Sequence, residues 1–324
     1  MKILLIKDST KGFTGGIKKH CADLNLLFSN HPEIEMEVMD NVLEGYSRIL
    51  KKKYFNFKSL CDFIHNSQCD IVHIHGFMSI GVLQAIIAAK RSRKKIIYSP
   101  HFHPFKYLNN PFLGKCYFYL FLKPQLKYID YIVCINKEDS NFFLKYKSNI
   151  LTIPHWLNSE AKDLDITKNN KFILFIGRND SNKGLEHLYN LPYNKYEIHC
   201  VTNGKLLRND FVQHINISDN DLVELYKKAS VVVIPSKYEA FSLVALEAIN
   251  YNTPIVISDR VRIADYLQGN KGYRIFKYHN FEEFNNTIEN IIGEKFNKVE
   301  LAAPFEKEKI KCLYSNLYKS VYDK

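Results

Sequence analysis

A chain of 324 residues, 46% hydrophobic and 24% charged, is long enough to bury two separate cores, and that balance excludes a disordered polymer. The net charge of +11 is unevenly placed: residues 1–155 carry 22 basic against 12 acidic side chains, while residues 156–324 carry 23 against 22. No apolar run approaches the roughly 20 residues of a bilayer-spanning helix, since the strongest candidate, Cys116–Leu122, stops at Lys123.

The opening MKILLIKD is charged too early for a signal peptide and reads as a first strand. DSTKGFTGG then places Gly15 and Gly16 where a helix opens. Such a pair lets backbone come close to a phosphate or sugar at the positive end of a helix; an ordinary turn is the other reading. The spacing is not G-x-G-x-x-G, which argues against a nicotinamide dinucleotide site.

Short apolar runs alternate with helix-length segments along the whole chain. ILLI, DIVHIH, KKIIYS and YIVCI precede the stretch LTIPHWLN (Leu151–Asn158); FILFIG, YEIHCV, SVVVIP and PIVIS follow it. Continuous apolar runs belong to parallel strands covered on both faces. The expected fold is α/β, with two doubly wound Rossmann-like domains facing a cleft and ligands beyond the C-terminal ends of the strands. Its parts are residues 1–155, residues 156–303, and a terminal amphipathic helix over 304–324 that packs back on the first domain.

Two histidine pairs, His73 with His75 and His101 with His103, each put two imidazoles on one strand face. No Asp, Glu or Cys joins them at a recognisable spacing, so they are expected to line a cleft as hydrogen bonders and to hold no metal. The basic excess of this half concentrates in KKK (Lys51–Lys53), KRSRKK (Lys90–Lys95) and the aromatic stretch from His103 to Tyr128. Solvated charge over core aromatics accounts for it, and so does a surface that docks on anionic lipid headgroups. Nucleic acid is not expected, because no binding motif accompanies the charge.

In the second half, FILFIGRNDSNKG sets Arg178 and Lys183 between a buried strand and a helix, where two cations suit a leaving diphosphate. DND (Asp219–Asp221) resembles a D-x-D metal motif, but the following LVELYKKA makes Asp221 an N-cap with Glu224 three residues on. The segment PSKYEAFSLVALEAINYNTPIVISD (Pro235–Asp259) keeps two glutamates in apolar company. Leu243, Val244, Ala245, Leu246, Ala248 and Ile249 leave no polar helix face, so Glu247 is expected to be hydrogen-bonded, paired or covered by a ligand. Glu239 falls in the turn before a helix that Ser242 caps. About 12 Å separates the two glutamates along a helix axis, which suits gripping two ends of one ligand. The seven cysteines form no C-x-x-C and fit reduced thiols in a cytoplasm.

With these residues in view, GRNDSNKG and the run from Asp221 to Asp259 resemble the retaining glycosyltransferases of the GT-B fold in the GT4 family, whose Glu-x7-Glu hallmark falls on Glu239 and Glu247. Gly15-Gly16, DIVHIHG (Asp70–Gly76), SPHFH (Ser99–His103) and IPHWLN extend the resemblance over nearly the whole chain. It implies transfer of a sugar from a nucleotide diphosphate sugar, UDP- or GDP-linked, to an acceptor hydroxyl, with no metal and no other cofactor. Carried over by position, it implies that Arg178 and Lys183 stabilise the departing diphosphate. Phe241, Ser242 and Leu243 would offer backbone N–H groups to phosphate, Glu247 would hold the ribose and Glu239 the donor sugar. Gly15 and Gly16 would close over the phosphates, and His101 would stand near the reacting centre. Ala240 replaces the glycine many relatives have after the first glutamate, VTNGK (Val201–Lys205) is a less glycine-rich turn, and IPHWLN is an atypical hinge; these departures bear on donor specificity. The basic first half adds the expectation of a cytoplasmic enzyme, peripheral on the inner face of the membrane, acting on a cell-envelope or lipid-linked glycan. A sugar-nucleotide epimerase on the same fold and a catalytically silent membrane-surface or partner-binding subunit are the alternatives. The first lacks a clear acid–base set; the intact Arg178, Lys183, Glu239 and Glu247 speak against the second.

Overall fold

The computed structural model describes residues 1–7, 16–39, 44–47, 52–108, 110–157, 171–267, 269 and 271–324, with 44–47 and 52–54 described by backbone alone. The chain divides into two compact units: Met1–His155 with Lys307–Lys324, and Trp156–Glu306.

Unit 1 is built on β1 (Lys2–Lys7), β2 (Glu35–Val38), β3 (Glu44–Ser47), β4 (Lys52–Phe55), β5 (Ile71–His75), β6 (Lys95–Ser99), β7 (Tyr131–Cys134) and β8 (Ile150–Thr152). Six of these form a parallel sheet in the order β2-β1-β5-β6-β7-β8, and β3 and β4 pair as an antiparallel hairpin. β1 and β5 bury nearly every side chain because helices cover both faces. The helices are α1 (Gly16–Phe28), α2 (Phe57–Asn66), α3 (Ile80–Arg91), α4 (Pro111–Cys116) and α5 (Lys137–Phe143). Asn56, Ser79, Asn110 and Asn136 begin four of them by accepting a backbone N–H from the first turn, which satisfies one of the donors a helix start leaves open. Beyond α4 the chain stays helical, through a wide π-type turn at Tyr117–Leu122 and a 3₁₀ turn at Lys123–Tyr128. Among the described residues no helix is long and apolar enough to cross a membrane.

Unit 2 repeats the plan with β9 (Phe172–Ile176), β10 (Glu197–Val201), β11 (Val212–His214), β12 (Val231–Ile234), β13 (Ile255–Ser258) and β14 (Tyr273–Phe276), ordered β11-β10-β9-β12-β13-β14 and all parallel. Its helices are α6 (Glu186–Tyr189), α7 (Asp219–Lys228), α8 (Leu243–Asn250), α9 (Phe281–Ile291) and α10 (Lys298–Ala302). The chain then rejoins unit 1 as α11 (Lys307–Tyr322), which buries Ile310, Tyr314, Leu317, Tyr318 and Val321 at helical spacing. The Tyr318 hydroxyl shares a 2.9 Å hydrogen bond with His73 Nδ1 on β5.

Two expectations need correction. His101 and His103 do not share a strand, since β6 ends at Ser99 and SPHFH continues as loop; His101 takes a left-handed φ of 44° that no strand allows. The cap of α7 is Ser218, which stands in extended backbone and accepts the Asp221 N–H at 3.2 Å. Asp219 and Asp221 lie inside the first turn, where their charge favours the positive end of the helix.

Leu317 on α11 is 2% exposed. Truncating such a side chain removes packing the site cannot recover, so Leu317→Ala is expected to destabilise the protein by about 2–5 kcal/mol in urea unfolding.

Candidate functional site

In unit 2 the loops leaving β9 and β12 begin side by side, because those strands are hydrogen-bonded neighbours. Asn182 ties the loops together: its side chain donates to Tyr238 O at 3.1 Å, and its carbonyl accepts from Lys237 N at 2.7 Å. Gly184 follows in a left-handed conformation (φ 70°), where an added Cβ would sit 1.8 Å from Pro235 O. Glycine is therefore required by both backbone conformation and close approach. The result brings Lys183 Nζ to 2.8 Å from Glu239 Oε1, the same oxygen that accepts the Ser236 hydroxyl at 2.6 Å. Both charged side chains are mostly buried, 22% and 13% exposed, so the pair acts in a less screened medium than a surface bridge. Arg178 is different: its side chain is 67% exposed and pairs with Asp180 at 3.0 Å.

A third loop, after β13, holds Glu239 by its backbone. Glu239 N donates to Arg260 O at 3.2 Å, and Arg262 N donates to Glu239 O at 3.0 Å. Ser258 donates its hydroxyl to Ser236 O at 2.6 Å. The chain then enters α8, whose cap Ser242 accepts Ala245 N–H at 3.3 Å. Phe241 is buried against Tyr266 and Phe305, fixing the turn, and Leu243 is the first helical residue.

Glu247, one turn into α8, is half-buried, and its Oε2 accepts the hydroxyl of Tyr226 at 2.8 Å. Tyr226 belongs to α7, is 1% exposed and stacks on Tyr251 with centroids 5.6 Å apart. Burial, with the Glu247 charge beside it, pushes the Tyr226 phenol well above its usual range, so it remains a donor. From sequence Glu247 is expected to be hydrogen-bonded, paired or covered by a ligand; the hydrogen bond from Tyr226 is not foreseen, because an aromatic with a polar tip in an amphipathic helix gives no local sign of its contact.

In unit 1, Gly16 is the first residue of α1, and an added Cβ there would meet nothing within 4 Å among the described residues; Gly15 lies outside them. His75 and His101 meet across β5 and the loop after β6, with Nδ1 and Nε2 3.2 Å apart. The sequence reading did not foresee that His20 of α1 and His155 after β8 join them, their Nδ1 atoms 2.9 Å apart. His73 packs on His75 at a centroid distance of 4.2 Å and is held by Tyr318 and by Ser99 at 2.9 Å each. Wide separation in sequence, from residue 20 to residue 155 and over a helix, a strand and two loops, hides such a group, because only the packing of unit 1 assembles it. Ring nitrogens of His20, His75 and His101 converge within 4.8 Å, the one group among the described residues close enough to share a cation. His75 Nε2 is buried and has no hydrogen-bond partner among the described residues.

Burial is the main force on every one of these imidazoles, and their neighbours add repulsion to the charged form. His101, half-buried, is lowered to about 4, and His73 and His155 to about 3; His20 and His75 are lowered well below the usual value. The cluster is neutral in the folded protein at neutral pH. An unfolded chain binds these protons from about pH 6.5 downward while the fold refuses them. Stability is therefore complete above about pH 6.5 and falls as pH drops, the His101 share being lost by about pH 4 and those of His73 and His155 by about pH 3. His101→Asn keeps a residue that tolerates left-handed backbone and removes one titrating site; unfolding measured across that window should lose stability less steeply than in the parent, by up to about 1.4 kcal/mol per pH unit.

Comparison with known proteins adds the following. Residues 35–160 match the family model Glycosyltransferase Family 4, and residues 192–311 match Glycosyl transferases group 1; neither alone spans half the chain, and together they span most of it. A 41.2 kDa protein in the cps region of Klebsiella pneumoniae is 24% identical over 246 residues, 68% of each chain. The lipopolysaccharide outer core galactosyltransferase WaaB in its apo form superposes with a TM-score of 0.72 at 17% identity, covering 99% of both chains. Anabaena Alr3699/HepE in complex with UDP-glucose gives 0.67 at 14% identity, covering 99% of this chain and 100% of that one.

Proposed function

Given that the chain is a glycosyltransferase of the GT4 family with the GT-B fold, we propose that it transfers a sugar from a nucleoside diphosphate sugar to an acceptor hydroxyl with retention of anomeric configuration. The observation that carries this reading is the Lys183–Glu239 pair beside the start of α8. A carboxylate, an ammonium and a helix N-terminus at one strand edge supply an acceptor for sugar hydroxyls and two donors for phosphate.

On this reading the donor diphosphate takes Lys183 from Glu239, and the exposed Arg178 swings onto the same charge. Backbone N–H groups of Phe241, Ser242 and Leu243 face a phosphate at the helix start, where the first amides have no helical acceptor. Glu239, released, accepts from hydroxyls of the donor sugar. Tyr226 fixes the Glu247 carboxylate in one orientation for the ribose diol. For Gly15 and Gly16 the reading keeps the part the resemblance implies, a backbone that comes close to phosphate. His101, neutral, keeps the part the resemblance implies for it at the reacting centre. The sugar–diphosphate bond breaks with its electron pair going to the diphosphate. The acceptor oxygen bonds to the same face, and its proton passes to a diphosphate oxygen. No metal is assigned a part in this step.

WaaB is named for lipopolysaccharide outer core and the Klebsiella relative for a cps region. These names support an acceptor in cell-envelope or lipid-linked glycan synthesis and an enzyme working in the cytoplasm at the inner face of the membrane. The HepE complex with UDP-glucose supports a UDP donor, with GDP the next candidate.

Melting temperatures measured with UDP, GDP, ADP and CMP should show one nucleoside diphosphate stabilising the parent protein and failing to stabilise Glu247→Ala. Stabilisation by none would overturn the donor assignment. With the donor so chosen, Lys183→Ala should slow release of the nucleoside diphosphate about a hundredfold, from loss of roughly 3 kcal/mol at a developing anion; an unchanged rate would sink the mechanism.

A further inference from the structure

We propose that the helical segment from Pro111 to Tyr128 lies flat on an anionic lipid surface and holds the enzyme there. The inference deepens the envelope-acceptor reading and rests on it for its biological purpose, while its geometry stands alone. Along this segment Gly114, Phe118, Leu122 and Leu126 are buried. Their spacing of four residues follows the wide π-type turn at Tyr117–Leu122. Between these buried positions, Phe112 is 72% exposed, Leu113 56%, Leu120 66% and Phe121 54%. Single exposed apolar residues need no explanation, but four large ones within ten positions of one short helical segment form a patch that does.

The charge around the patch decides its occupant. Lys115, Lys123 and Lys127 lie on the same segment and are exposed. Lys123 stands over the rings of Tyr119 and Tyr146, at 5.6 and 5.1 Å, and the two hydroxyls are 3.1 Å apart. Lys90, at the end of α3, stands 3.5 Å over the ring of Tyr128, so the basic rim runs on into KRSRKK. Lys90 and Lys127, hydrogen-bonding to it, hold the Tyr128 hydroxyl below its usual range. Between Asp70 and Asp130 the sequence has nine lysines and arginines and no acid. The segment itself carries no acid, and a lysine-rimmed apolar stripe with tyrosines beside it matches an in-plane helix whose lysines reach headgroups while its apolar side chains enter the acyl boundary.

The test uses the full chain, sedimented with vesicles of phosphatidylcholine alone and of phosphatidylcholine mixed with phosphatidylglycerol, beside two variants. One carries Phe112→Ser, Leu120→Ser and Phe121→Ser; the other carries Lys115→Glu and Lys123→Glu. All five positions are exposed, so folding should survive, and the thermal response to UDP and GDP is followed in parallel as a check. The parent should bind the anionic vesicles only, and each variant should lose binding by about tenfold or more with its nucleotide response unchanged. A parent that stays in solution with both vesicles, or variants that bind as well as the parent, would overturn the proposal. So would a parent dimer that dissociates in the serine variant while neither binds vesicles, since the patch would then belong to a second copy of the chain. Vesicle binding without any nucleotide response upholds this surface and removes the donor reading; the reverse result does the opposite.

Discussion

In a sheet whose strands all run one way, each strand delivers the chain to the same edge, and whatever side chains the loops carry are gathered there. Both six-stranded sheets obey this rule. β9 and β12 are neighbours, so residues 56 positions apart in sequence, Lys183 and Glu239, meet at 2.8 Å. β5 and β6 are neighbours, so His75 and His101 meet in the other unit. The constraint is topological before it is chemical: change the strand order and neither group exists.

Each edge handles the cost of burying polar groups in its own way. In unit 2 an ammonium and a carboxylate neutralise one another, with a serine hydroxyl taking a further lone pair; charge is tolerated because it is paired and hydrogen-bonded. In unit 1 five imidazoles crowd together, and desolvation strips them of charge instead. The backbone scaffolding differs accordingly. Glu239 is held through its own amide and carbonyl by the loop after β13, so its position survives a change of side-chain partner. The histidines are held mainly by ring contacts and by Tyr318 and Ser99.

The central strands were legible in the sequence because burial on both faces leaves uninterrupted apolar runs such as ILLI and VVVI. The edge strands were not: EMEV in β2 and YRIF in β14 are only partly buried, and strands open to solvent on one side carry a mixed pattern. Glu239, Glu247 and the cap at Ser242 were legible because an acid or a capping hydroxyl in an apolar segment has few local explanations. Tyr226 as the partner of Glu247, His20 and His155 beside the strand-end histidines, and Ser218 in place of Asp221 were not. The first three depend on long-range packing. The last turns on which of several polar residues at the start of α7 adopts extended backbone.

The path of the chain has one more consequence, for synthesis. α11 follows unit 2 in sequence yet belongs to unit 1, where it buries five side chains and gives His73 its Tyr318 partner. Unit 2 is contiguous, Trp156–Glu306, and every strand and helix described in it has left the ribosome once residue 306 has. Unit 1, although made first, must wait with a strip of its β5 and α1 surface uncovered until the 307–324 segment emerges. The usual order, in which the earlier domain finishes folding before the later one appears, is inverted here, and the first-made half is the one that depends on protection while translation continues.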